Sequence, residues 1–264
     1  KFGGKPWRRL DRRGQEIHIQ SEERVPDMDE LYHQSGNILL NDILGAHRYS
    51  YPDGEDEAGA DAAVRAIADK LRDEGKRPYI VPLAPGHPPL GALGYVLAAA
   101  EIVAQLQASD TKIDTVVIAS GSGFTHAGLL FGLRAMGQEM AVQGICVRRN
   151  AEAQFQRIAN HCRDISEMLG VGEVVADTDI KVFDGVLPPG YGQLNPATAD
   201  AIVLAARCEG LFLDPPYTGK VMAGLMALAA DQTIAPGSKV LFIHTGGTPA
   251  LFAYGPQMQH WTRP

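Results

Sequence analysis

The chain has 264 residues, 45% of them hydrophobic, a formal net charge of -7 and a sequence pI near 5.6. That length holds one large domain or two modest ones with a real core, and the acidic balance excludes broad attraction to nucleic acid. No signal peptide is visible and no apolar run approaches membrane-spanning length, so the expectation is a cytoplasmic protein with no membrane partner.

The three cysteines, Cys146, Cys162 and Cys208, stand in no CxxC or metal-ligand spacing. They suit a reducing compartment and core packing, and no metal is expected. Lys5, Arg8, Arg9, Arg12 and Arg13 form a basic run near the start, read as a solvated end. The chain begins without Met, so these residues need not be the whole natural chain.

In chain order, residues 16–20 (EIHIQ) alternate as a short strand. Residues 21–35, charged and carrying Pro26, read as a loop. Ile38, Leu39, Leu40, Ile43 and Leu44 predict a short helix ended by Gly45, and residues 48–51 a second strand. An acidic turn over 53–59 precedes an amphipathic helix over 60–74, with Ala63, Ile67 and Leu71 on one face. Residues 77–83 (RPYIVPL) predict a strand that runs into a Pro/Gly cluster over 84–89, a domain hinge.

An apolar helix follows over 91–107, then a buried strand over 115–119 and a helix opened by Thr125. Further on we expect a strand within 139–147 and a helix over 152–169. Two less regular stretches follow at 173–176 and 179–183, then a Gly/Pro-rich loop over 187–195. The remainder reads as a helix over 197–209, a short strand end at 210–213, a helix over 220–230, a strand over 239–244 and a last helix from 248. Alternating strands and helices predict an α/β fold, an open and mostly parallel sheet covered by helices. Ligands of such sheets lie beyond the carboxyl ends of the strands.

Three loops fall at that edge. Ser120-Gly121-Ser122-Gly123-Phe124-Thr125 joins strand to helix through small residues, so backbone N–H groups can converge at a helix N-terminus. This fits a phosphate cradle and equally an ordinary βα turn. It is neither a P-loop nor the GxGxxG fingerprint, because no Lys-Ser/Thr follows and Ala127 takes the last glycine position. In residues 214–220 (DPPYTGK) two prolines stiffen the approach to Tyr217, a phenol able to exchange a proton. On residues alone, a tyrosine that merely caps a rigid turn is the commoner case. Lys220 reads as the start of a helix rather than a nucleophile. His244-Thr245-Gly246-Gly247 ends a hydrophobic strand, where the Thr245 hydroxyl can donate to a ring nitrogen or a phosphate, or cap the next helix. His126 reads as structural or as a site residue.

Taken together, ASGSGFTHAGL, PPGYGQLN, LDPPYTGKVMAGL and FIHTGGTPALFAYGP resemble, in order and spacing, the D-cysteine desulfhydrase and 1-aminocyclopropane-1-carboxylate deaminase family. This group also includes L-cysteate sulfo-lyase. The resemblance runs from Gly36 to Tyr254. It implies a tryptophan-synthase-β-like fold, with an incomplete small α/β domain over 1–90, a large domain over 91–264, and assembly as a homodimer. It implies pyridoxal 5'-phosphate as cofactor and a small amino acid as substrate, with β-elimination giving pyruvate, ammonia and sulfide. Cofactor contacts are implied for Ser120, Gly121, Ser122, Gly123, Phe124, Thr125, Thr218, Thr245 and Gly246. Thr245 would hydrogen-bond the pyridine nitrogen, and Tyr217 would shuttle a proton. The deaminase carries Glu where Thr218 stands, which favours the desulfhydrase-like branch.

Three departures stand out. The family's Schiff-base lysine segment, GGNKxRKLE, and its SNH segment are not intact. Residues 1–11 (KFGGKPWRRLD) are a faint echo, in which Lys5 would be that lysine. The reading adopted is that the segment is absent, along with about the first quarter of the family's length. Residues 85–89 (PGHPP) replace a GGSN-like turn, and Phe124 is bulky for a phosphate turn. The alternatives are a cofactor-binding remnant without turnover, or an unrelated α/β binding protein with a phosphate loop.

Overall fold

The computed structural model describes residues 16–22, 24–25, 28–83 and 86–262. The chain divides into two compact units, one of residues 1–87 with 249–255, the other of 88–248 with 256–264.

In the first unit, β1 (His18–Glu22) and β2 (His47–Tyr51) pair in parallel, with His18 opposite His47. Helix α1 (Glu30–Gln34) is capped by Asp29, whose carboxylate accepts from the Tyr32 N–H, and α2 is Gly36–Ile43. The long helix α3 (Glu57–Asp73) starts within the expected acidic turn, because the Asp56 carboxylate accepts from the Gly59 N–H and caps it. Gln20 donates to the Ala60 carbonyl at 2.7 Å and ties β1 to α3. At Gly36, φ is +59° and a Cβ would stand 2.9 Å from the Pro249 carbonyl oxygen, so only glycine lets α2 approach α9 (Ala250–Ala253) this closely.

Two expectations fail here. Residues 21–35 are not all loop, since β1 extends to Glu22 and Asp29 nucleates α1. Residues 77–83 form no strand among the described residues. Tyr79, Val81 and Leu83 alternate outward at 80%, 73% and 62% exposure. Pro78 and Pro82 lack the N–H that a ladder needs.

The second unit is a four-stranded parallel sheet in the order β5-β4-β3-β6: β5 is Lys181–Phe183, β4 Ala141–Cys146, β3 Thr115–Ser120 and β6 Val240–Phe242. Alternation along β3 feeds two cores. Val116 and Ile118 pack with α4 (Leu90–Ala108), α5 (Phe124–Ala135) and α6 (Ala151–Leu169). Val117 and Ala119 pack with α7 (Pro196–Glu209) and α8 (Thr218–Ala230). Burying both faces explains why β3 reads as an unbroken apolar run. A last helix, α10, is Gly255–Thr262. Residues 210–213 are not a strand: Gly210 takes the left-handed conformation that ends α7, and the chain then runs irregularly. Residues 173–176 are likewise irregular, followed by a 3-10 turn at Asp177–Asp179.

Helix α4, 19 residues long, reaches membrane-spanning length and is apolar enough by composition, though a single such helix is no convincing span. One side of it serves α5. A Cβ on Gly128 would lie 2.2 Å from the Ala92 carbonyl oxygen, and one on Gly132 2.8 Å from that of Val96. Cys146 and Cys162 are buried, which pushes both thiols up to about 12 and leaves them inert, whereas Cys208 is exposed and not a core residue.

Candidate active site

The site grows from the end of β3. Gly123 precedes α5 with φ +95°, and a Cβ there would meet His161 Cδ2 at 3.0 Å and Ile158 Cδ1 at 3.1 Å. The N-cap of α5 is Gly123, and no side-chain cap hydrogen bond closes the helix among the described residues. The carbonyls of the loop are tied back toward α6 and the segment before it. Arg149 and Gln154 donate to the Gly121 oxygen at 3.0 and 3.2 Å. Arg157 Nε and His161 Nε2 reach the Ser122 oxygen at 2.9 and 3.1 Å. Because a trans peptide sets its N–H opposite its C=O, the N–H groups of Ser122 and Gly123 turn the other way. The first-turn amides of α5 add to them. Ser122 and Thr125 are half-buried, and neither hydroxyl bonds a protein partner among the described residues.

Ser120 differs from its neighbours. It is fully buried, with its hydroxyl 3.0 Å from His126 Nδ1 and accepting from Gln154 Nε2 at 2.9 Å. His126 lies under the loop rather than in it, and burial pushes its pKa down to about 4, so it stays neutral. The Phe124 ring rests against His161 with centroids 4.8 Å apart.

The second loop meets the first at Tyr217. Its Cε1 lies 3.8 Å from where a Gly121 Cβ would be. Buried Asp214 fixes this loop by accepting from the N–H of Tyr217 and of Thr218, both at 2.9 Å, and from the Thr218 hydroxyl at 2.6 Å. Thr218 is fully buried, so its side chain serves the turn. The Tyr217 phenol meets that of Tyr191 at 2.5 Å, with the rings edge to face. Lys220, fully buried in the first turn of α8, donates to the carbonyls of Leu187 and Gly190 at 2.8 and 2.7 Å and anchors the loop that carries Tyr191. Desolvation pushes its pKa down to about 8.

The third loop joins through Gly247, where a Cβ would lie 2.6 Å from the Asp214 carboxylate. His244 Nε2 is 3.2 Å from the Phe212 oxygen, and its Nδ1 accepts from the Gly246 N–H. Thr245 is half-buried at the start of this turn. The structure thus brings residues 120–125, 217–218 and 245–246 into one neighbourhood of the second unit. Lys5 lies outside the described residues. A groove of about 360 Å³ elsewhere, lined by Cys162, Arg163, Ser166, Glu173 and Asp177, touches none of these loops. We place the candidate site at the loops because amides and phenols converge there.

A model of pyridoxal-phosphate dependent enzymes matches residues 11–246. The chain belongs to that family. Within it, the chain is similar to an ACC deaminase homologue of known crystal structure, with 34% identity, a TM-score of 0.80, and 96% of this chain covering 72% of that one. It shares its fold with O-ureido-L-serine synthase (17% identity, TM-score 0.62, 97% of this chain and 72% of that one). It also shares its fold with a hydrogen sulfide-producing enzyme from Fusobacterium nucleatum (14%, TM-score 0.53, 94% and 75%). The parallel sheet covered by helices is therefore the pyridoxal-phosphate, tryptophan-synthase-β-like fold, and the cofactor of the family is pyridoxal phosphate.

The phosphate end of that cofactor would suit the cradle, where a Cβ at Gly123 would press on α6 and the Ser122 and Thr125 hydroxyls lack protein partners among the described residues. Sequence reasoning missed Tyr191, Asp214 and the group Gln154, Arg157 and His161. The signals were present. Tyr191 sits between two glycines in a loop, where packing gives no reason for an aromatic. Arg157 and His161 are polar residues one helical turn apart on a face that also carries Ile158 and Ile165.

Proposed function

We propose that this member of the pyridoxal-phosphate family is a lyase of small amino acids, most like D-cysteine desulfhydrase. It would convert D-cysteine and water to pyruvate, ammonia and hydrogen sulfide. The observation that carries the reading is the Tyr217–Tyr191 phenol pair beside the Ser122–Thr125 loop.

In this reading the N–H groups of Ser122, Gly123 and the first turn of α5 hold the phosphate, assisted by the Ser122 and Thr125 hydroxyls. Thr245 donates to the pyridine nitrogen, and a neutral hydroxyl leaves that nitrogen unprotonated. Bound, the cofactor supplies an electron sink for the substrate α-carbon. Tyr217 holds or moves a proton at its phenol oxygen, and the Tyr191 hydroxyl stabilises whichever charge state remains. Thr218, engaged with Asp214, offers no carboxylate at the position where the deaminase has one, which favours elimination over ring opening. The homodimer expected from the resemblance belongs to this proposal and is checked by sedimentation.

A second reading, cofactor binding without turnover, is favoured by one observation. Lys220, the buried lysine of this neighbourhood, is held by two carbonyls. One experiment separates them. The full chain is loaded with pyridoxal phosphate, given D-cysteine, and assayed for pyruvate and sulfide. A parallel sample is reduced with borohydride and mapped by mass spectrometry. Stoichiometric pyruvate and sulfide with a lysine adduct support the lyase. Saturable binding with neither product nor adduct supports the second reading and overturns the first.

A further inference from the structure

In the first unit, Glu16, His18 and His47 place one potential ligand atom each within 4.8 Å of the others. The arrangement follows from parallel pairing. His18 and His47 are register partners on β1 and β2, so they project on the same side of the ribbon, and their rings stack at 4.6 Å. Glu16, two residues before His18, extends along that side.

The state of His18 points to a ligand. Its Nδ1 is 3.0 Å from the Tyr49 hydroxyl, and in the tautomer whose Nδ1–H donates there the ring is fixed with the Nε2 lone pair open to a ligand. That Nε2 is shielded from solvent and has no hydrogen-bond partner among the described residues. It lies 3.5 Å from the Glu16 carboxylate, a poor hydrogen bond but close to the separation of two ligands on one tetrahedral ion. With metal–ligand bonds of ~2.0–2.1 Å, that separation is about 3.3–3.4 Å. His47 and Glu16 are exposed, so side-chain rotation alone can close the remaining gap.

We propose that Glu16, His18 and His47 bind a divalent transition-metal ion of the zinc class. Two imidazoles and a carboxylate suit such an ion and leave a fourth position for water. Lys76, whose ammonium is 2.7 Å from the Glu16 carboxylate and 3.3 Å from Glu74, is the charge it displaces. The bound ion clips β1 to β2 and stabilises the unit that contains them by mass action. The three residues belong to the first unit and the cofactor loops to the second, and the proposal does not depend on the proposed reaction.

The test is titration of the chelator-treated full chain with zinc chloride, read by calorimetry and by the thermal unfolding midpoint, with cobalt(II) absorption as a geometry probe. The expected result is a single strong site per chain and a raised midpoint, with a tetrahedral cobalt spectrum free of thiolate charge transfer. His47→Gln and Glu16→Gln, each folded by circular dichroism, weaken zinc binding at least tenfold, while Cys208→Ser and His33→Gln leave it unchanged. Binding that survives both ligand substitutions, or that is lost in Cys208→Ser, overturns the proposal.

Discussion

Replacing Gly123 with alanine probes the cradle with a magnitude that the structure sets. At φ +95° an L-residue costs ~1–2 kcal/mol relative to glycine. The new methyl also stands 3.0 Å from His161 and 3.1 Å from Ile158, contacts that must yield by a few tenths of an ångström between two packed helices. Overpacking of that kind adds about 1 kcal/mol or more, giving about 2–4 kcal/mol in all. Gly137, just past the other end of the same helix, is the control: its φ is +67° and nothing lies within 4 Å. Gly137→Ala should lose only the backbone part, ~1–2 kcal/mol. The assay is urea unfolding of both variants, with pyridoxal phosphate binding followed by absorbance. We expect Gly123→Ala to be the less stable and to bind cofactor at least tenfold more weakly, with Gly137→Ala unchanged in binding. Equal stability losses and equal cofactor affinity in the two variants would refute the reasoning.

Four further outcomes follow from the same geometry. His126 is buried and depressed from 6.5 to about 4, so the unfolded chain takes up its proton first as pH falls. Stability should then drop by roughly 3 kcal/mol between pH 6.5 and 4, with His161, also lowered chiefly by burial, acting in the same sense; unfolding of wild type and His126→Gln at pH 7 and pH 5 checks this, the variant showing the shallower fall. Asp214→Ala leaves buried donors at Tyr217 and Thr218 unpaired and should cost about 2–4 kcal/mol in urea unfolding. Tyr191→Phe should lower the turnover number by about 100-fold while cofactor affinity, measured by titration, stays within about twofold. Lys220→Met, which frees the Leu187 and Gly190 carbonyls, should lower turnover in steady-state assays more than it lowers cofactor affinity.

The large unit was legible because its elements are driven by burial. Val116–Ala119, flanked by turn residues, declares a two-sided strand, and Gly170 and Gly210 mark helix ends. The small unit was less so. The RPYIVPL segment carries a strand's residue types, yet strand formation needs a partner, and partnership is not a local property. The same limit applied at the site. The three loops could be named because glycine, proline and tyrosine cluster in them. What joins them could not be read locally: Asp214 meets the third loop at Gly247, and Lys220 reaches the loop that carries Tyr191. Thr218 shows the converse, since its position suggested cofactor contact while its hydroxyl lies buried on Asp214.

The central claim is that the turn after β3 receives the phosphate of pyridoxal phosphate, with Tyr217 and Thr245 flanking the ring. A crystal structure of the full chain with the cofactor bound tests it most directly. The account predicts phosphate oxygens within hydrogen-bond distance of the N–H groups of Ser122, Gly123 and Thr125, and the ring between Tyr217 and Thr245. Phosphate density elsewhere, for instance in the groove beside Arg163, with those amides uncontacted, would contradict it.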